Sequence, residues 1–145
     1  MLSKDFKEFV ALLNAHGVEY LLVGGYAMAL HGRPRNTGDL DVWVARTPEN
    51  AAKLLKVLEA FGFGALGLVM EDFTSPEHVV QLGYPPFRID LLTDIDGVEF
   101  ATAWLHRETL VYDGLPLQFI GLDDLKANKR ASGRPRDIDD LEQLP

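Results

Sequence analysis

The spacing of apolar residues predicts several helices along the chain. Apolar positions three and four residues apart follow Ser3, a residue that favours helix starts, and the pattern ends at Gly17. The same spacing begins again at Pro48, a favoured first helical residue, and ends at Gly62. Helical spacing also runs through residues 122–144, where an interruption by glycine and proline predicts two short helices.

Short apolar or alternating segments between these helices predict strands. They occupy residues 17–23, 39–45, 78–83, 87–93, 109–113 and 115–121. The last two flank Asp113 and Gly114, a dipeptide typical of hairpin turns. Brief helical segments are predicted at residues 26–30 and 101–105, whereas residues 63–77 have no clear pattern. Helices and strands that alternate in this way predict an α/β (α+β) domain.

Composition indicates a single domain spanning residues 1–145. A chain with 47% hydrophobic and 25% charged residues can bury an ordinary core. The longest nearly apolar run, residues 20–30, is about half the length of a bilayer span, and the N-terminus lacks an apolar signal core. The absence of cysteine excludes disulfides, thiolate zinc sites and thiol nucleophiles. We therefore expect a cytoplasmic protein without membrane association, and its net charge of −8 argues against general nucleic-acid binding.

Three aspartates occupy strand segments that are otherwise apolar. Asp39 and Asp41 are separated by one residue, so their side chains share one face of the strand and begin about 7 Å apart. Two such charges repel each other by roughly 2–3 kcal/mol at an effective dielectric of about 20. Asp90 lies between Ile89 and Leu91, where an unpartnered charge would be costly. If the strands lie side by side, the three carboxylates can converge on Mg²⁺, which prefers oxygen ligands and cancels their repulsion.

Each aspartate also has a simpler interpretation. Asp39 could be a turn or cap residue after Gly38, and Asp90 could form an ion pair with Arg88 or another base. A glycine pair, Gly24-Gly25, favours a nucleotide site over these alternatives. It lies between a predicted strand and a predicted helix, where small residues let the backbone approach a ligand and free N–H groups attract phosphate.

Three segments resemble known nucleotidyltransferases. VGGYAMALHGRPRNTGDLDVWV, residues 23–44, resembles the polymerase-β-type nucleotidyltransferase superfamily, in which a glycine pair after a strand precedes an acid–hydrophobic–acid triplet. Asp90 in RIDLLT matches the third acid of that superfamily. KRASGRPRDIDDLEQL, residues 129–144, is similar to the C-terminal helices of AbiEii-like abortive-infection nucleotidyltransferases and of small antibiotic-modifying relatives. The resemblance implies a mixed twisted sheet with helices packed against it.

The resemblance also implies a site that binds an NTP together with two Mg²⁺ ions, or with Mn²⁺. Asp39 and Asp41 would hold metal that bridges the triphosphate, and Asp90 would bind the second metal and help to deprotonate the acceptor. Many relatives have Gly-Ser where this chain has two glycines, which leaves only backbone amides for phosphate here. The expected phosphate contacts are Gly24, Gly25, Arg35, Lys129 and Arg134.

The expected function is metal-dependent transfer of a nucleoside monophosphate from an NTP, such as ATP, to an acceptor hydroxyl. A toxin–antitoxin or antibiotic-modifying role would follow from the resemblance. The acceptor, which could be tRNA, a small molecule or a protein, stays open, as does assembly with a partner protein or as a homo-oligomer. A second hypothesis is a non-catalytic, antitoxin-like module that has kept the fold. A third is an acidic metal-binding domain that binds no nucleotide.

Other polar and aromatic residues have structural interpretations. The basic tail could be a solvated helical face in which Arg134 pairs with Asp137 or Asp140. His31 is better explained as a hydrogen-bonded structural residue than as a phosphate ligand, and Trp43 and Trp104 as parts of the core.

Overall fold

The computed structural model describes residues 2–32, 38–84 and 87–145. Its strands are β1 (Tyr20–Val23), β2 (Leu40–Val44), β3 (Val79–Leu82), β4 (Ile89–Leu92), β5 (Glu108–Tyr112) and β6 (Leu115–Phe119). Its helices are α1 (Lys4–Ala15), α2 (Gly24–His31), α3 (Pro48–Ala60), α4 (Glu71–Thr74), α5 (Phe100–Leu105), α6 (Leu122–Ser132) and α7 (Pro135–Glu142). Each strand and helix predicted from the sequence is confirmed.

The six strands form one mixed sheet in the order β3-β4-β2-β1-β6-β5. β1 pairs antiparallel with β2 and parallel with β6, and β2 pairs parallel with β4. The outer strands β3 and β5 pair antiparallel with β4 and β6. The predicted mixed sheet with helices is therefore confirmed, and it places the strand of Asp41 between the strand that leads into Gly24 and the strand of Asp90.

The two long N-terminal helices begin at side-chain caps. The Ser3 hydroxyl accepts a hydrogen bond from the Phe6 backbone N–H, and the Thr47 hydroxyl accepts one from the Asn50 N–H. These bonds satisfy amide groups that a helix start leaves without partners. Both helices bury an apolar face, and they contact each other. α1 also contacts β6.

The core is built around large aromatic and aliphatic side chains of the central strands and of α1. Trp43 on β2 is buried, as predicted, and its ring packs edge-on against Phe100 at a centroid distance of 5.0 Å. Tyr20, Phe6 and Phe9 are also fully buried. In the parts of the chain that the structure describes, no helix is both long and apolar enough to cross a membrane.

Residues 63–77, which have no clear sequence pattern, contain a single 3₁₀ turn at Gly64–Leu66 and the one-turn helix α4. Phe73 is the buried residue of α4, and Leu66 and Val69 are largely exposed. A segment with so few buried positions shows no periodicity, because periodicity reflects a repeated contact with the core.

The C-terminal helices α6 and α7 form a tight pair. Gly133, between them, adopts a left-handed conformation with φ of 64°, and its N–H donates to the Lys129 carbonyl. Pro135 occupies the first turn of α7. This turn confirms the predicted interruption of the tail and brings both helices to the glycine end of β1.

Candidate active site

Strand pairing brings two of the three predicted acids together. Asp41 on β2 lies directly opposite Asp90 on the parallel strand β4, and Asp39 immediately precedes β2. Side chains at paired positions of neighbouring strands lie on the same face of the sheet. The acids therefore face one another across two adjacent strands, which is the side-by-side arrangement considered from the sequence.

Asp41 experiences the strongest electrostatic effect in this group. Burial, followed by the negative charges of Asp90 and Asp39, raises the pKa of Asp41 from 3.8 to about 7. The positive charge of Arg88 lowers this pKa, and a hydrogen bond with Asp90 raises it. Without an added cation, Asp41 therefore exchanges its proton close to neutral pH.

Gly24 leaves the space in which the Asp41 carboxyl lies. Val23 pairs with Asp41 in the sheet, and the chain then turns at Gly24 with φ of +65°. A β-carbon at Gly24 would lie 2.0 Å from Asp41 Oδ2. A side chain is thus excluded both by the left-handed backbone and by the carboxylate. Gly25 follows in the first turn of α2.

Arg88 contacts two of the three acids, whereas the sequence indicated it only as an alternative partner for Asp90. Its Nε donates to Asp90 Oδ1 at 2.7 Å, and its Nη2 donates to Asp90 Oδ2 at 3.1 Å and to Asp39 Oδ2 at 3.0 Å. The ion pair considered for Asp90 is therefore present. The two-residue spacing between Arg88 and Asp90 was the available signal, because alternate residues of a strand share a face.

One cavity of about 440 Å³ brings most of the predicted site residues together. Its lining comprises Gly24, Gly25, Gly38, Asp39, Asp41, Lys129, Arg134, Arg136, Asp137 and Asp140. The glycine turn and two acids contribute one wall, and the residues of α6 and α7 contribute the other. Arg35 and Arg33 lie outside the described residues.

The tail residues in this cavity are held by ion pairs. Lys129 is 5% exposed, and its Nζ donates to Asp137 Oδ1 at 3.1 Å and to Asp140 Oδ2 at 2.9 Å. Arg134 Nε donates to Asp137 Oδ2 at 3.1 Å, so the pairing considered from the sequence is present. Although burial opposes the effect, hydrogen bonds from Ser132 and Lys129 lower the pKa of Asp137.

The basic residues of the cavity therefore differ in accessibility. The Arg134 side chain is 74% exposed, and Arg136 is also exposed, whereas Lys129 is enclosed between α6 and α7. An exposed guanidinium can rotate toward an incoming phosphate at little cost, but Lys129 would first leave two buried carboxylates. His31 lies elsewhere: its Nε2 is 2.7 Å from the Ile120 carbonyl, so its expected structural role is confirmed.

A larger cavity, of about 670 Å³, opens at the other ends of β2 and β4. Arg46, Asp94 and Trp104 are among its lining residues, and Arg46 pairs with Asp94 at 3.4 Å. It contains neither the glycine turn nor the paired acids. The smaller cavity is therefore the candidate active site.

Within the described ranges, no group of three or more Asp, Glu, His or Cys side chains is arranged closely enough to hold a metal ion. Arg88 occupies the space between Asp39 and Asp90 instead. The donor set nevertheless suits a hard cation, because it consists of carboxylate oxygens that already converge on one positive charge.

The fold is that of a nucleotidyltransferase. Residues 2–144 match the family described as "Nucleotidyltransferase of unknown function (DUF6036)", and the chain belongs to that family. No curated protein matches the chain in sequence.

Solved structures support the fold. A protein of Thermotoga maritima assigned as a nucleotidyltransferase is similar with a TM-score of 0.61 and 16% identity, over 94% of this chain and 87% of that one. An antigenic nucleotidyltransferase-like protein of Paracoccidioides brasiliensis has a TM-score of 0.59 and 20% identity, over 98% and 76% of the two chains. ANT(2″)-Ia in complex with adenylyl-2″-tobramycin has a TM-score of 0.54 and 14% identity, over 94% and 83%.

Proposed function

We propose that this nucleotidyltransferase transfers a nucleoside monophosphate from an NTP to an acceptor hydroxyl and depends on a divalent cation. The observation that carries the proposal is the composition of one cavity, in which Asp39 and Asp41 lie beside the Gly24 turn and share the space with Arg134 and Arg136. Carboxylates alone would repel a triphosphate. A cavity lined by both carboxylates and guanidinium groups suits a triphosphate bound together with metal ions.

The cation expected here is Mg²⁺ or Mn²⁺. Asp39, Asp41 and Asp90 would hold it, since oxygen-only donors match the preference of these hard ions. Bound at this site, two such ions would stabilise the entering and leaving oxygens of an in-line displacement at the α-phosphorus. Arg88 contacts two of these acids, and Asp39 is the more accessible of the two: 38% of its side chain is exposed, against 11% for Asp90.

The remaining roles belong to protein groups. Gly24 and Gly25 begin α2, whose first N–H groups would donate to the β- and γ-phosphates. Arg134 and Arg136 would add charge-assisted hydrogen bonds to the same phosphates, with Arg35 as a further expected contact. Asp90 would accept the proton of the acceptor hydroxyl while that oxygen bonds to the α-phosphorus and pyrophosphate leaves.

The acceptor class separates the biological alternatives. A small hydroxylated molecule is one candidate, because ANT(2″)-Ia of similar fold has been crystallised with adenylyl-2″-tobramycin. A tRNA or a protein hydroxyl would suit a toxin of the AbiEii type. Incubation of the purified protein with each labelled NTP, Mg²⁺ and fractions of a cell extract would show which fraction carries the label.

Thermal unfolding tests the proposal without knowledge of the acceptor. A ligand at about 100 times its Kd stabilises the folded state by about 2.7 kcal/mol. For a domain of this size we expect a rise in Tm of roughly 5–11 °C when Mg²⁺ and an NTP are present together, and little with either alone. Asp39→Asn should lose the joint rise. If ATP, GTP, CTP and UTP at millimolar concentration all give none, the proposal is wrong and the non-catalytic module is favoured.

A further inference from the structure

Arg88 forms a fork between two of the acids that are proposed to bind metal. It makes two hydrogen bonds to Asp90, at 2.7 and 3.1 Å, and one to Asp39, at 3.0 Å. A planar guanidinium with several fixed donors can hold two carboxylates in this way, whereas an ammonium group cannot reproduce the geometry. Arg88 therefore fixes the orientation of both carboxylates.

Arg88 and a divalent cation require the same oxygen atoms. Asp39 Oδ2 and both oxygens of Asp90 accept hydrogen bonds from the guanidinium, so their lone pairs are directed toward it. The positive charge also reduces the repulsion among Asp39, Asp41 and Asp90, which a metal ion would otherwise do. Either cation can neutralise the acids, and each hydrogen bond from Arg88 occupies a carboxylate lone pair that a metal ion could otherwise use.

We infer that Arg88 is a positioning residue that acts as a built-in counter-cation for the acids, and that it releases Asp39 when a divalent cation binds. The inference rests on the proposed function only in requiring that these acids bind a metal ion. It assigns Arg88 two effects: it stabilises the metal-free site, and it weakens binding of the metal in the absence of nucleotide.

The contacts of Arg88 indicate which bond opens. Arg88 makes one hydrogen bond to Asp39, which is partly exposed, and two to Asp90, which is nearly buried. The Arg88 carbonyl accepts a hydrogen bond from the Leu40 N–H at 2.9 Å, so the backbone of Arg88 is fixed to β2. Release of Asp39 thus needs a rotation of the Arg88 side chain and leaves the strand pairing intact.

Two basic side chains that line the cavity have partners different from those of Arg88. Lys129 and Arg134 form ion pairs with Asp137 on α7, at 3.1 Å in both cases. They are thereby directed toward the acids of the tail, whereas Arg88 contacts Asp39, which precedes β2, and Asp90 on β4. Substitution of Arg88 should consequently change cation binding without disturbing the α6–α7 pair.

The test measures binding of Mn²⁺ to nucleotide-free protein by electron paramagnetic resonance, together with Tm in EDTA. Arg88→Met keeps much of the apolar stem and removes the charge. We expect this variant to bind Mn²⁺ about tenfold more tightly than the wild type, because a positive charge beside the ion is gone. Its Tm in EDTA should fall and should recover when Mn²⁺ is added. A merely structural role would lower both the Tm and the Mn²⁺ affinity.

Two further variants complete the experiment. Arg88→Lys keeps the charge but should not bridge both acids, so its Mn²⁺ affinity should also exceed that of the wild type; this variant decides the question if Arg88→Met fails to fold. Arg46→Met removes an Arg–Asp pair at the other end of the sheet and should leave Mn²⁺ affinity unchanged. Equal or weaker Mn²⁺ binding by the Arg88 variants, or no binding by any protein, would overturn the inference.

The outcome is independent of the nucleotide experiment. If Arg88→Met binds Mn²⁺ more tightly but wild-type protein shows no joint shift with Mg²⁺ and NTP, the proposed function fails and the inference on Arg88 stands. If the joint shift is present and the affinity for Mn²⁺ does not rise, only the inference on Arg88 fails.

Discussion

Gly24 and Asp41 occupy positions that depend on each other, since a β-carbon at Gly24 would lie 2.0 Å from Asp41 Oδ2. We predict that Gly24→Ala lowers the free energy of unfolding by about 1–2 kcal/mol for the left-handed backbone and by about 1–3 kcal/mol more for the contact with the carboxylate. Because Asp41 must move, the joint stabilisation by Mg²⁺ and NTP should also be lost. Urea unfolding and thermal shift measure the two effects.

Gly114→Ala is the matched control for this substitution. Gly114 has φ of +78° in the turn between β5 and β6, and a β-carbon added there would meet no atom within 4 Å. This variant should lose about 1–2 kcal/mol through the backbone alone and keep the ligand response. Equal losses of stability and ligand response in both variants would contradict the role assigned to the Gly24–Asp41 contact.

Asp39→Asn and Asp41→Asn should each remove nearly all transferase activity while the protein stays folded. The reason is that an amide replaces a charged oxygen ligand and loses its attraction for the metal. Transfer of NMP from labelled NTP onto the acceptor, once a labelled fraction is found, measures the loss. Circular dichroism and Tm in EDTA verify folding. Turnover close to that of the wild type in either variant would refute the assignment of metal ligands.

Local sequence patterns predict most of the helices and strands, but they predict the candidate site only in part. The apolar faces of α1 and α3 repeat over three turns, so their existence and bounds are clear in the sequence, as are the caps at Ser3 and Thr47. Residues 63–77 make few buried contacts and carry no such repeat. Local periodicity is informative where one face is buried over several turns.

The site depends on contacts between distant segments. Asp41 and Asp90 can be recognised as unusual charges in strands, but their direct pairing requires β2 and β4 to be neighbours, which no local pattern dictates. Arg88 can contact both Asp39 and Asp90 because of the same pairing. Likewise, the burial of Lys129 results from the turn at Gly133, which folds α7 against α6. From the sequence, Lys129 is expected to contact phosphate, and no local pattern indicates that its side chain is buried.

Lys129→Ala and Arg134→Ala should separate a structural from a ligand-binding role. Lys129→Ala removes the hydrogen bonds from the buried Lys129 Nζ to Asp137 and Asp140, and we predict a loss of about 1.5–3 kcal/mol in the free energy of unfolding, as is typical of bonds to charged groups. Arg134→Ala should change stability by less than about 1 kcal/mol, because its ion pair is exposed. It should weaken NTP binding about tenfold through the lost phosphate contact. Urea unfolding and calorimetric titration with NTP measure these values.

Arg130→Ala is the control for loss of an exposed arginine from the same helix pair. Arg130 is exposed and does not line the cavity, so this variant should retain both stability and NTP affinity. If Arg134→Ala binds NTP as tightly as Arg130→Ala, the phosphate site does not include Arg134. If Lys129→Ala is as stable as the wild type, its buried ion pairs do not stabilise the α6–α7 pair.

Stability of the metal-free protein should depend on pH through Asp41. Burial beside Asp90 and Asp39 raises the pKa of Asp41 from 3.8 to about 7 in the folded state. Between about pH 4 and pH 7 the folded state therefore holds a proton that the unfolded state has released, so the contribution of Asp41 to stability falls as the pH rises. The full change is at most about 4 kcal/mol, and it levels off above about pH 7.

Asp41→Asn lacks this titration. The free energy of unfolding of wild type minus that of Asp41→Asn, measured with urea in EDTA, should decrease across this interval, and saturating Mg²⁺ should stabilise the wild type more at pH 8 than at pH 5. A difference that is constant or increases with pH would show that Asp41 does not hold a proton near neutrality.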